Sequence, residues 1–308
     1  MIEVKNLTKH FGDKKAVDDI SFTVNDNEVL GFLGPNGAGK STTMNMLTGY
    51  IGATAGEIKI CGIDMLENPI EAKKKIGYLP EQPPLYPEMT VKEYLTFVAE
   101  LKGVKDIKAE IRSAAAKVGL SDVMSRRIGN LSKGYKQRTG FGAALLGDPE
   151  VLILDEPTVG LDPKQIKEIR TLIRSLGKDH TVILSSHILP EINAVSDRIL
   201  VINNGKIAAE DTPQNLSKRS KGDKVKRIIM KIDGDAERIK EVLDSLDGVT
   251  YEKRGDEYEL NISGASDDTG KKIFFAFANA GLAITEQREE ELSLEDIFLE
   301  LTKERGGK

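Results

Sequence analysis

Four short stretches of this chain carry residue types suited to handling a phosphorylated nucleotide. Gly34–Thr42 reads GPNGAGKST and fits GxxxxGK[ST], with the apolar run EVLGFL before it and the helix-compatible TTMNMLTG after it. Its glycines permit a bend that turns successive backbone N–H groups inward, from about Gly37 to Thr42, to hold α- and β-phosphates. Lys40 would then reach the β/γ oxygens, and Ser41 would offer its hydroxyl to Mg2+. A second run, VLILDE, ends in Asp155 and Glu156 at the C-terminal edge of a predicted strand, where α/β folds place their chemistry. Strand alternation gives the two acids different tasks. One can hold the metal through a water, while the other faces the γ-phosphate and orients or deprotonates an attacking water. The third run, TVILSSH, ends in His187. In the fourth, LSKGYKQR, Ser and Gly make a poor helix interior and a good helix start. Ser132 to Gly134 would present N–H groups and a basic side chain to an anion.

Buried parallel strands are needed to position such residues, and EVLGFL, VLILDE and TVILSSH are the short continuous apolar runs that such strands show. The fold class expected is therefore α/β. A chain of 308 residues has room for a domain of about 200 residues and a smaller one. No stretch approaches the ~20 apolar residues of a membrane span. The N-terminal MIEVKNLTKHFG lacks the basic-then-apolar order of a signal peptide, and the single cysteine, Cys61, has no internal disulfide partner, so a cytoplasmic location is expected. Net charge is −5, but residues 225–308 alone hold 13 Lys and Arg against 20 Asp and Glu. An acidic tail is a poor nucleic-acid binder, so no nucleic acid is expected as a partner. The basic, polar run SKRSKGDKVKR suits an exposed linker and puts a domain boundary there. The division expected is 1–216, a linker over 217–224, and a second domain over 225–308.

Taken in order, GPNGAGKST, LSKGYKQR, LILDEPTVGLD and LSSH resemble the ATP-binding subunit of ABC transporters over most of residues 1–215. The resemblance implies a P-loop NTPase domain of the ABC type with a helical subdomain at about 86–147, and ATP and Mg2+ as cofactors. Gly34, Pro35, Asn36, Gly37, Ala38, Gly39, Lys40, Ser41 and Thr42 match the family's phosphate loop, and Phe11 stands where an aromatic stacks on adenine. Ser41 and Asp155 match its Mg2+ ligands, Glu156 its general base and His187 its switch histidine, with Lys40 completing the catalytic set. Ser132 and Gly134 match the signature that faces ATP held by a second copy, and Leu161 and Asp162 match the loop crossing that interface. The implied function is an ATP-hydrolysing subunit, driven by head-to-tail dimerisation, that powers a separate transmembrane permease. The second copy is the same chain or a related subunit, and the protein would lie peripherally on the inner face of the cell membrane. The alternative is a soluble ATPase of the same type that remodels a ribosome, DNA or an assembly scaffold.

Two departures from the family pattern stand out. The usual LSGGQ is LSKGY here, so Lys133 replaces a glycine while the serine and the second glycine remain. In IGYLPEQPPLYPEMTV the position of the metal-sensing glutamine falls on Glu81, with Gln82 one residue later. Glu81 is the residue expected to serve the metal, since either side chain offers an oxygen.

From Val225 the pattern reads strand, helix, strand, strand, helix, strand, the βαββαβ order of a small α+β ferredoxin-like domain. The apolar IFFAFANAG covers most of a helix and points to core. A closing helix is expected over LSLEDIFLELTKE. That ending resembles the drug-, lipid- and polymer-exporter branch of the family, gliding-associated members included.

Overall fold

The computed structural model describes residues 1–216, 226–262 and 269–290. The expected linker and closing helix lie outside the described residues. The chain separates into two compact units, one built on Met1–Pro213 and another over Gln214–Lys303.

The first unit is built on two sheets. Strands β1 (Ile2–Phe11), β2 (Lys14–Val24), β4 (Ala55–Ile60) and β5 (Ile63–Asp64) form an antiparallel sheet in the order β2-β1-β4-β5. The other has the order β10-β9-β3-β8-β7-β6, from β3 (Val29–Leu33), β6 (Ile76–Leu79), β7 (Val151–Leu154), β8 (Thr181–Ser186), β9 (Arg198–Asn203) and β10 (Lys206–Asp211). It is parallel except where β10 runs against β9. Every residue of β3, β7 and β8 is buried, which is why these segments read as unbroken apolar runs rather than as alternating ones. Phe22 of β2 meets Phe32 of β3 at 5.8 Å between ring centroids, joining the two sheets into one core.

Helices cover this framework. They are α1 (Lys40–Leu47), α2 (Pro69–Lys74), α3 (Val91–Leu101), α4 (Ile107–Val118), α5 (Lys133–Leu145), α6 (Pro163–Leu176) and α7 (Leu189–Asn193). The α3 helix starts at a capping box, Thr90 with Glu93, so its first N–H groups are satisfied within the chain. Gly119 ends α4 in the left-handed conformation. Together α3, α4 and α5 make up the expected helical region before and through the LSKGY stretch.

The second unit contains β11 (Lys226–Asp233), α8 (Ala236–Asp244), β12 (Val249–Arg254), β13 (Glu257–Ile262), α9 (Thr269–Asn279) and β14 (Ala283–Glu290). Its antiparallel sheet has the order β12-β13-β11-β14, the ferredoxin-like arrangement that the βαββαβ pattern calls for. Ile228, Met230, Leu260 and Phe277 form its core. The expectation for IFFAFANAG needs correction. Ile273 and Phe277 are buried, but Phe274 and Phe275 are 52% and 59% exposed and stack edge-on against each other. A helix lying on one sheet buries one stripe, and these two phenylalanines fall outside it.

Candidate active site

The phosphate loop follows β3 without a gap: the fully buried parallel strand surfaces at Asn36, and Gly37 is the first loop residue in the left-handed region, with φ of 80°. Gly39 shows why the pattern demands glycine. Its φ is 109°, and a Cβ there would lie 2.5 Å from the Ala16 carbonyl oxygen of β2. From this point α1 begins at Lys40, its N-terminal N–H groups directed at the loop.

The loop borders a cleft of about 440 Å3. Asn36, Gly37, Gly39, Lys40, Ser41 and Thr42 line it, with Phe11, Glu81, Glu156 and His187; Lys14, Ala16 and Val159 complete the wall. Gly34, Pro35 and Ala38 stand behind it, and the Lys40 ammonium donates to the Gly34 and Pro35 carbonyls at 2.8 and 3.2 Å.

A dense polar cluster sits on this wall. Lys40 and Glu156 are both buried, and their charged groups approach to 3.3 Å. The other Glu156 oxygen lies 3.0 Å from His187 Nδ1. Asp155 Oδ1 accepts the Ser185 hydroxyl at 2.5 Å and the Ser41 hydroxyl at 3.3 Å. Burial pushes the Asp155 carboxyl above its ordinary value, while the hydrogen bonds from Ser185 and Ser41 pull the other way. The two acids do diverge, but not by strand alternation: β7 ends at Leu154, and Glu156 turns away in a left-handed conformation with φ of 47°. That costly conformation is held by the Ser185 hydroxyl, which accepts the Glu156 N–H at 2.9 Å.

Ser41 and Asp155 bring two hard oxygen donors side by side beside the phosphate loop, the donor chemistry Mg2+ takes when phosphates and waters supply the rest. Of the two acidic-loop candidates, Glu81 borders this cleft, whereas Gln82 borders a neighbouring cavity of about 740 Å3 that Glu81 also touches.

Ser132, Gly134 and Asp162 do not line the cleft. They lie instead at the starts of α5 and α6, which approach each other at Gly134 and Gln165. Ser132 caps α5 by accepting the Tyr135 N–H at 3.4 Å, and Asp162 caps α6 by accepting the Gln165 N–H at 2.9 Å. A Cβ on Gly134 would come within 2.8 Å of the Gln165 side chain, so glycine lets the two helix starts pack.

Sequence reasoning missed Ser185 as the residue that holds both acids in place. Its signal was the pair of hydroxyls, Ser185 and Ser186, closing a fully buried strand, positions where polar groups need partners.

Comparison with known proteins agrees with this geometry. The family model described as ABC transporter matches residues 17–159. The bacitracin transport ATP-binding protein BcrA of Bacillus licheniformis is 42% identical over 72% of each chain. The linearmycin resistance ATP-binding protein LnrL of Bacillus subtilis is 35% identical over 98% of each. Among solved structures, an ATP-binding subunit of an ABC transporter superposes with a TM-score of 0.65 at 30% identity, covering 72% of this chain and 93% of that one. A dimeric bacterial ABC transporter cassette gives 0.63 at 25% identity, covering 69% and 98%. The chain belongs to the ABC transporter ATP-binding proteins: it binds ATP and hydrolyses it in the service of transport. Among the described residues, no helix is long and apolar enough to cross a membrane.

Proposed function

We propose that this member of the ABC transporter family is the ATPase of an exporter, closing head to tail on ATP with a second copy and driving a separate membrane-spanning permease from the inner face of the cell membrane. The observation that carries the reading is the Lys40–Glu156–His187 cluster on the wall of a phosphate-loop cleft, beside the Ser41–Asp155 oxygen pair. Support for export comes from relatives named for bacitracin transport and linearmycin resistance.

In this reading Phe11 offers a π-face to adenine, and the loop N–H groups with Lys40 hold the phosphates. An entering γ-phosphate competes with Glu156 for the Lys40 ammonium. Released on one side, Glu156 is then available to take a proton from water as its oxygen bonds to the γ-phosphorus and the bridging bond to ADP breaks. His187 orients that carboxylate and reaches toward the γ-phosphate. Mg2+ bound by Ser41 and Asp155, with Glu81 near it, would neutralise charge on the phosphate oxygens. Ser132 and Gly134 serve the ATP of the second copy, which explains their place outside the cleft of their own chain.

The Glu156→Gln variant tests this. Turnover is expected to fall by roughly 10²- to 10⁴-fold, the usual worth of a general base, and the variant is expected to accumulate as a dimer with ATP. Light scattering that finds only monomer with saturating ATP overturns the sandwich. Affinity purification from gently solubilised membranes tests the transport half. A co-purifying polytopic protein supports it, and recovery with ribosomal, DNA-processing or assembly partners overturns it.

A further inference from the structure

One buried acid has no task in the scheme above. Glu191, on α7, is 5% exposed. Its flanking α7 residues Leu189 and Ile192 bury apolar side chains, so filling the space does not call for a carboxylate. Burying one is costly unless hydrogen bonds compensate it. Here they do: one oxygen of Glu191 accepts a short hydrogen bond from the Thr158 hydroxyl and another from the Ser186 hydroxyl at 3.2 Å.

Those two donors come from two different loops of the active site. Thr158 lies two residues after Glu156, and its carbonyl accepts the Leu161 N–H at 3.2 Å, closing the turn that leads to Asp162. Ser186 directly precedes His187, and its hydroxyl oxygen accepts the Ile188 N–H at 3.0 Å. Both sides of His187 are thus fixed by a group that Glu191 holds. We infer that Glu191 is a positioning residue for ATP hydrolysis: it ties the Thr158–Asp162 turn to the Ser186–Ile188 segment, so that displacement of the turn moves His187 relative to Glu156. The inference rests on the roles proposed for Glu156 and His187. It goes beyond them by giving the turn that a second copy would touch a physical route to the histidine of its own chain.

The test uses the full chain and the variants Glu191→Ala, Glu191→Gln and Thr158→Val, with kcat, KM, equilibrium ATP affinity and Tm measured for each. None of these residues lines the nucleotide cleft. Glu191→Ala is expected to lower kcat at least tenfold while KM and ATP affinity stay within twofold. Gln, whose amide oxygen still accepts both hydroxyls, is expected to recover most of that loss. Thr158→Val is expected to reproduce the kcat defect, and the double variant to be no worse than Glu191→Ala alone. A normal kcat in Thr158→Val, or a loss that tracks Tm and ATP affinity together, overturns the tie. If Glu191→Ala does not fold, Thr158→Val and Glu191→Gln decide. Controls separate the two levels. Full turnover in both Glu156→Gln and His187→Ala overturns the site reading itself, whereas their inactivity beside a normal Thr158→Val overturns the tie alone.

Discussion

The cleft and the LSKGY region, the two parts of the chain proposed to face phosphate, are built in opposite ways. In the cleft, Lys40, Asp155 and Glu156 are all buried, and each is engaged by at least two partners. At LSKGY, Ser132 and Lys133 are exposed, and the serine's only described side-chain hydrogen bond is a 3.4 Å cap. A finished polar network can hold nucleotide by itself. An exposed helix start whose first turn has a lysine and no acid is repelled by its own helix dipole, and an anion relieves that repulsion. Under the proposed sandwich, the contrast means that one half of the site is complete within the chain and the other half is left for a second chain's nucleotide.

Lys40→Ala is the strongest way to break this contrast. It removes a buried cation and leaves Glu156 facing the phosphates without compensation, so ATP affinity of the monomer is expected to fall by about 100-fold, or ~2.7 kcal/mol. Titration with a fluorescent ATP analogue checks it, and unchanged affinity would undo the phosphate-loop assignment. Ser132→Ala sharpens the other side. Monomer affinity is expected to stay within twofold, while ATP-dependent dimerisation in the Glu156→Gln background weakens by roughly tenfold, the worth of one hydrogen bond to a charged group. A Ser132→Ala variant that loses monomer affinity instead would show that the two regions are not separate halves.

How much of this was legible in the sequence follows the same divide. The strands β3, β7 and β8 and the phosphate loop are local patterns: apolar runs and glycines announce themselves without knowledge of the rest of the chain. The ferredoxin-like order of the second unit was legible for the same reason. Partnerships between distant residues were not. Nothing near Asp155 in sequence points to Ser185, thirty residues on, nor does Thr158 point to Glu191. The turn at Glu156 was misread as continued strand, because a left-handed non-glycine residue is paid for by tertiary hydrogen bonds that no local pattern displays. At α9 the error ran the other way: Phe274 and Phe275 are apolar by type, yet only the packing of the helix on its sheet decides which apolar residues are covered.

Phe11 offers a smaller test of the cleft. It is 53% exposed, and Lys9 Nζ sits 5.3 Å from its ring centroid. Stacking on an aromatic is worth about 0.5–1.5 kcal/mol, so Phe11→Ala is expected to weaken ATP binding by roughly 2- to 12-fold with kcat unchanged. Loss of kcat without loss of affinity would remove Phe11 from the base-binding wall.

The smallest effect concerns Lys102, just past α3. Its side chain as a whole is exposed, but its ammonium is enclosed and donates to the carbonyls of Ala143, Ala144 and Leu146 at 3.2, 3.1 and 2.8 Å. Burial pulls its pKa down to about 8, while Glu110 acts in the opposite direction. Because the folded value lies below the ordinary 10.5, the unfolded chain binds more protons between about pH 8 and 10.5, and stability contributed at this site rises with pH through that window. Below pH 8 the protein bears the whole cost of the enclosed charge. The exposed stem lets water screen that charge, so the effect is small. Measured against Lys102→Met, the Tm of the unaltered protein is expected to gain about 2 °C between pH 7.5 and 9.5, the shift that somewhat under 1 kcal/mol produces in a domain of this size. The three carbonyls at the end of α5 oppose this, since oxygens at a helix C-terminus favour a cation. A Tm difference that stays flat or falls across the window would mean that the carbonyls outweigh burial, and that Lys102 acts as a charged cap on α5 throughout the working range of the enzyme.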